Sequence, residues 1–250
     1  MKNRIEEKGG TAAIYIYDFD NDKCNNILES IILHGRTDGV IMFRVPHLPV
    51  KTNIPIVCSS SYYVNEYDSV GHDIHAIMRD SVKFLKKLGH QKIGFIGEYN
   101  TICSFEAFKE ALTENELSFC QDYIYIVNGR FEAIGIQAAK ELINSRKRPT
   151  AIITAYDEIA HSLIFELTKN NISVPDDISV MGINNVSSSQ YAQIPLTTVD
   201  TFSEEQYKMA VDILFDKIVN ETTAIRHITV EHQIIERETT KKLRSSNACF

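Results

Sequence analysis

Seven short apolar runs, most of them continuous rather than alternating and rich in isoleucine and valine, recur at 12–17, 39–43, 55–58, 92–97, 123–127, 151–155 and 179–183. A strand with one face in water alternates apolar and polar residues. A run that is apolar throughout needs cover on both faces, as in a parallel sheet between two layers of helices. Helix-period patterns lie between the runs, near 24–34, 73–89, 104–114, 131–145, 157–170 and 203–219. This βαβα order predicts doubly wound α/β units, and 250 residues suffice for one large domain or two moderate ones.

The helix after Asp73 is the clearest. Ile74, Ile77, Met78, Ser81, Val82, Leu85 and Leu88 fall on one stripe, Asp73 is placed to cap the first amides, and Gly89 follows the last turn. Pro175 forbids continuation of the helix that ends near 170. The last strand is expected at 227–237, and 241–250 reads as a frayed tail.

Several function classes lack their signatures. The net charge is −7, and the densest basic run, 145–149, falls between a helix and a strand, where a solvated loop is expected rather than a phosphate contact. No apolar run has the ~18–20 residues a membrane helix needs, and residues 1–10 are polar, without a signal-peptide core. The five cysteines form no Cys-x-x-Cys pair and leave one over, which fits reduced cytosolic thiols. His72, His75 and His90 have no partner at metal spacing, so no metal and no cofactor are expected. Gly94 to Gly97 is not a dinucleotide fingerprint, and neither a Walker loop nor a G-x-S-x-G elbow occurs, so no catalytic residues are assigned.

Six segments in register carry a resemblance. LGHQKIGFIG (88–97) resembles the L-G-H-x-K-I-G-F-I-G segment of the LacI/GalR regulators. FKEAL (108–112) is similar to their G-F-x-x-A-L, with Ala107 replacing the glycine. PTAIITAYDEIA (149–160) is similar to P-T-A-I-x-x-x-N-D-x-x-A, VPDDISVMG (174–182) to V-P-x-D-I-S-V-x-G, PLTTV (195–199) to P-L-T-T-V, and RET (237–239) to R-E-S. The resemblance covers nearly the whole chain. It implies two Rossmann-like lobes with parallel sheets joined by three crossovers, the architecture of the type I periplasmic binding proteins. The lobes would be 1–72 plus 200–221 and 73–199 plus 222–240, with the ligand between them at the carboxyl ends of the strands.

Against that family pattern the chain lacks the helix-turn-helix and the first strand of the first lobe. A missing central strand would leave a gap of ~9.5 Å with unpaired backbone groups on both sides. The first sheet is therefore expected to close up, to accept a strand from a partner, or to be poorly ordered. The implied pocket positions are Phe43, Ser60, Ser104, Tyr156, Asp157 and Asn184, with Tyr191 as a further aromatic face. Ser104 stands where relatives carry arginine, and serine cannot replace that planar donor fork. Neutral amides and hydroxyls beside Phe43, Tyr156 or Tyr191 suit a carbohydrate and argue against a strongly anionic ligand. Asp157 also suits helix capping, and Asn184-Asn185 also suits a plain turn.

The function implied is a ligand sensor of a LacI/GalR-type transcription regulator, which binds a small molecule, a sugar by this reading, and signals by lobe closure. The alternatives are a periplasmic-type sugar-binding protein of a transporter and, more distantly, a small α/β enzyme. The expected partners are a carbohydrate effector and a second copy of the chain, paired through 25–33 of the first lobe and parts of the second. DNA is reached only through the helix-turn-helix, no membrane is involved, and the location is cytoplasmic.

Overall fold

A computed structural model of the chain describes residues 1–15, 26–31, 37–43, 52–60 and 66–243. The chain divides into two compact units, Met1–Asp73 with Phe202–Glu231, and Ile74–Thr201 with His232–Phe250. It passes between them three times, after 73, 201 and 231.

In the first unit, α1 (Lys2–Glu7), α2 (26–31), β1 (Val40–Met42), β2 (Ile56–Ser59), β3 (Asp68–His72), α8 (Ser203–Asn220) and β9 (His227–Val230) are described. The strands form a parallel sheet in the order β1-β2-β3-β9. Its apolar face is covered by α8, whose Ala210, Ile213 and Leu214 pack with Val57, Val70 and Val230. Arg4 and Lys8 fix α1 to α8 through Asp212, at 2.9 Å each. Residues 12–15 of the run expected at 12–17 form no strand, and Ile14 and Tyr15 are exposed. Among the described residues β1 pairs with β2 alone. An extended segment becomes a strand only where a neighbour takes its backbone hydrogen bonds, and among the described residues none is present for 12–15. Residues 16 and 17 lie outside the described residues.

β3 was not foreseen, because Asp68, Ser69 and His72 break the apolar pattern. Asp68 and Ser69 are paired within the unit. The buried Asp68 carboxylate meets Lys217 Nζ at 2.7 Å and accepts from the Arg226 backbone N–H at 3.0 Å, and Ser69 Oγ lies 2.7 Å from His227 Nδ1. Asp68→Asn is expected to cost about 2 kcal/mol, since it leaves Lys217 without its buried counter-charge while Arg226 keeps Asp216 at 2.8 Å. Thermal unfolding reads this out, and adding Lys217→Met should recover part of the loss by removing the stranded cation.

The second unit holds α3 (Ile74–Lys87), β4 (Ile93–Glu98), α4 (Ile102–Glu114), β5 (Ile124–Val127), α5 (Glu132–Asn144), β6 (Ala151–Thr154), α6 (Asp157–Lys169), β7 (Ser179–Ile183), α7 (Ser188–Tyr191), β8 (Thr197–Asp200) and β10 (Gln233–Ile235). The sheet order is β10-β8-β7-β6-β4-β5, parallel except for the antiparallel edge strand β10. With right-handed crossovers, β4-α4-β5 runs one way along the sheet, whereas β5-α5-β6 and β6-α6-β7 run the other. This puts α4 on one face and α5 and α6 on the opposite face, in keeping with the α3–α4 and α5–α6 packing. Every residue of β4, β6 and β7 is buried, as their continuous apolar runs predict. Gly89, at φ +95°, ends α3, and the amides of Gly89 and His90 return to the carbonyls of Lys86 and Leu85.

Three boundaries differ from expectation. The strand expected at 227–237 is two strands in two sheets. β9 pairs with β3 and β10 with β8, so 222–231 belongs to the first unit rather than the second. Alternation alone does not show that Glu231-His232 carries the chain from one sheet to the other. The expected tail is docked at its start: Lys241 N–H reaches Ser179 Oγ, the Lys241 carbonyl is 3.1 Å from His90 Nε2, and Leu243 N–H donates to the Leu88 carbonyl at 2.7 Å. Residues 244–250 lie outside the described residues. The basic run 145–149 does more than face water, since Arg148 donates to the carbonyls of Leu142 and Ile143 and so caps α5.

Candidate functional site

In an open parallel sheet the βα turns gather at the carboxyl ends of the strands, where helix amino termini and loop side chains converge. In the second unit this edge is made by the residues after β4, β5, β6 and β7. β4 ends on Glu98, whose side chain is only 1 % exposed. Ser104 lies in the first turn of α4 and is half-buried. After β6 comes Tyr156, half-buried, its hydroxyl 3.4 Å from Glu98 Oε1. After β7 come Asn184 and Asn185, both with positive φ, at +106° and +48°. Side chains with a Cβ adopt that region rarely, asparagine more readily than most.

The turn from β5 to α5 carries the strongest local strain. Gly129 has φ +153°, and Phe131 sits at φ 50°, ψ −120°, a conformation costing of order 1–3 kcal/mol for a residue with a Cβ. The turn brings Arg130 Nε to 3.4 Å from Glu98 Oε2 and lays the guanidinium 4.5 Å from the centre of the Phe131 ring. That ring lies 5.7 Å from the ring of Tyr156. Glu98, Arg130, Phe131 and Tyr156 thus form one cluster drawn from three βα turns.

Sequence reasoning missed Glu98, Arg130 and Phe131. The available signal was positional: residues 128–131 follow a predicted strand just as Tyr156 and Asn184 do. The site so built is not the uncharged one expected from the sequence, because it holds an ion pair. Sheet order decides this, since β4 is the strand between β5 and β6.

Asp157 is placed differently from a ligand contact. It is fully buried, and its carboxylate accepts from Thr198 Oγ1 at 2.5 Å, Ser189 Oγ at 2.7 Å and the Val186 N–H at 2.9 Å. Nor does it cap its own helix, since Tyr156 holds the N-cap position and no side-chain cap bond forms. It ties β6 and α6 to α7 and β8. Burial pushes its carboxyl up to about 6, against the lowering effect of the three bonds. Gly182 permits this arrangement, because a Cβ there would lie 2.1 Å from Asp157 Oδ1. Asn185 is likewise engaged in structure, its amide donating to Asp200 at 2.8 Å and accepting from Arg237 at 2.8 Å. Tyr191 ends α7 with its ring exposed. In the first unit, Phe43 follows β1, exposed and edge-on to Tyr207 at 5.6 Å, and the buried Ser60 follows β2. Among the described residues no group of three or more His, Cys, Asp or Glu could hold a metal ion, and no helix is long and apolar enough to cross a membrane.

The second unit is thus an α/β domain whose parallel strand ends carry an aromatic pair, an ion pair and an asparagine. Residues 82–240 match the periplasmic binding protein-like domain. The repressor PurR of Vibrio atlanticus (strain LGP32) is 32 % identical over 168 residues, 65 % of this chain and 50 % of that protein. A putative LacI transcriptional regulator from Bacillus cereus subsp. cytotoxis superposes with a TM-score of 0.85 at 24 % identity, over 97 % of this chain and 89 % of that one. A LacI family regulator from Enterococcus faecium, solved with bound ribose, gives 0.81 at 21 % identity, over 97 % and 92 %. The chain belongs to the family of periplasmic binding protein-like domains. It spans about half the length of the first curated relatives it matches.

Proposed function

We propose that this chain is the ligand-sensing part of a cytoplasmic transcription regulator, that its ligand is a carbohydrate, and that it performs no chemistry. The observation that carries the reading is the cluster of Glu98, Arg130, Phe131 and Tyr156 at the carboxyl ends of β4, β5 and β6, in a chain of this family. Aromatic faces cover the apolar C–H faces of a sugar, and the polar groups beside them bond its hydroxyls. Ser104 and Asn184 extend the polar side of the site. Signalling then follows from differential affinity: a ligand shifts the balance between open and closed lobes only as far as it prefers one arrangement. Dimerisation, and DNA contact through a segment outside this sequence, complete the proposal.

The test is thermal unfolding with a panel of neutral sugars that includes ribose, sucrose and cellobiose. A ligand present at 100 times its dissociation constant adds about 2.7 kcal/mol, equivalent to about 5–10 °C for a chain of this size. Tyr156→Ala should abolish the shift while the protein still unfolds cooperatively. A panel in which no sugar stabilises the wild type refutes the carbohydrate reading.

A further inference from the structure

We propose that Glu98 and Arg130 form a charge-compensated pair that restricts this site to uncharged, polyhydroxylated ligands and turns away their phosphorylated forms. The inference rests on the carbohydrate reading above and narrows it.

Arg130 is the cation of the cluster at the carboxyl edge of the second sheet, and its side chain is 40 % exposed. Glu98 and Phe131 both bear on its orientation. Its Nε faces Glu98 at 3.4 Å, and its guanidinium carbon lies 4.5 Å over the ring of Phe131, a residue at φ 50° in the same turn. A guanidinium held this way is a rigid, planar donor fork, suited to the oxygens of vicinal hydroxyls. A bare guanidinium suits a phosphate just as well, so geometry alone does not separate the two ligands.

The buried carboxylate does. Glu98 is almost wholly withdrawn from water, so its charge is poorly screened and cancels most of the field Arg130 projects. A neutral hydroxyl loses little by this cancellation, because it binds the fork through directed hydrogen bonds. A phosphate loses the net charge that would offset its own desolvation, and it is repelled by the Glu98 carboxylate that stands a few ångströms behind the arginine. Glu98 thus acts on specificity through Arg130, as a positioning and compensating residue, without touching the ligand.

The experiment uses the full chain and needs no identified effector. Inorganic phosphate is titrated at constant ionic strength, and stabilisation is followed by thermal unfolding for the wild type, Glu98→Gln and the double variant Glu98→Gln/Arg130→Gln. The wild type should show no saturable response. Glu98→Gln should gain one, saturating at a phosphate concentration at least about tenfold below the highest at which the wild type stays silent. The double variant should lose it, which assigns the gain to Arg130. Glu98→Met removes the same charge in a side chain of similar length, and it replaces Glu98→Gln should that variant fail to unfold cooperatively. A phosphate response in the wild type equal to that of the variant, or a gain that survives loss of Arg130, overturns the proposal. Failure of the broader carbohydrate reading is seen separately, in the wild type's silence towards neutral sugars.

Discussion

Replacing Asp157 with alanine is expected to destabilise the protein by about 3 kcal/mol at pH 7.5 and by about 1 kcal/mol more at pH 5. The carboxylate accepts three hydrogen bonds in a site closed to water, from Thr198, Ser189 and the Val186 backbone. Alanine leaves all three donors stranded at a cost of order 1–3 kcal/mol each. It also relieves the fold of a buried negative charge, so the net loss is smaller than the sum. The pH dependence follows from the direction of the shift. Burial raises the Asp157 carboxyl from 3.8 to about 6. At pH 7.5 it is ionised in both folded and unfolded chains, and the fold bears the desolvation. As pH falls through 6 the folded chain takes up the proton before the unfolded chain does, so this group's contribution to stability rises until the unfolded carboxyl also protonates near 3.8. Alanine has no such gain. Urea unfolding of both proteins at pH 7.5 and pH 5 measures the difference. A gap that stays constant or narrows at the lower pH would contradict the buried-carboxylate account.

The second large effect is expected at Gly135, in the first turn of α5. Helix propensity alone predicts that Gly135→Ala stabilises by about 1 kcal/mol. The packing predicts the reverse. A Cβ at this position would lie 2.0 Å from Ser162 Oγ, 2.4 Å from the Ile159 carbonyl oxygen and 2.8 Å from the Leu163 amide nitrogen. Two of these three atoms belong to the α6 backbone, so rotating a side chain does not make room, and the helices must separate along their contact. Overpacking of this kind costs about 1–3 kcal/mol even where only side chains obstruct. The net expectation is a loss of about 3 kcal/mol, seen as a lowered midpoint in thermal or urea unfolding. Adding Ser162→Ala should restore only a minor part, because the carbonyl of Ile159 remains in the way. Unchanged or increased stability in Gly135→Ala would show that α5 and α6 do not approach this closely.

Much of the second unit was legible in the sequence. Its core strands are buried on both faces, which leaves a continuous apolar run as their only solution, and its helices show their stripes and stops in Ile77, Leu85, Gly89 and Pro175. Elements built from polar residues were harder to see. β3 reads as a loop because Asp68 and Ser69 are tolerable in a buried strand only when Lys217, Arg226 and His227, some 150 residues away, come to meet them. The identity of Asp157 was visible, but its role was not, since its three partners lie 29 to 41 residues further along.

The sequence by itself determined the fold class and the strands that supply the candidate site, because apolar period and turn chemistry act over a few neighbouring residues. Tertiary structure alone decided which strand lies beside which, and so which turns meet. That order put Glu98, Arg130, Phe131 and Tyr156 together and gave an edge read as neutral an ion pair. A charge is balanced by whatever stands within a few ångströms of it, and that distance is fixed by the packing of the sheet rather than by position along the chain.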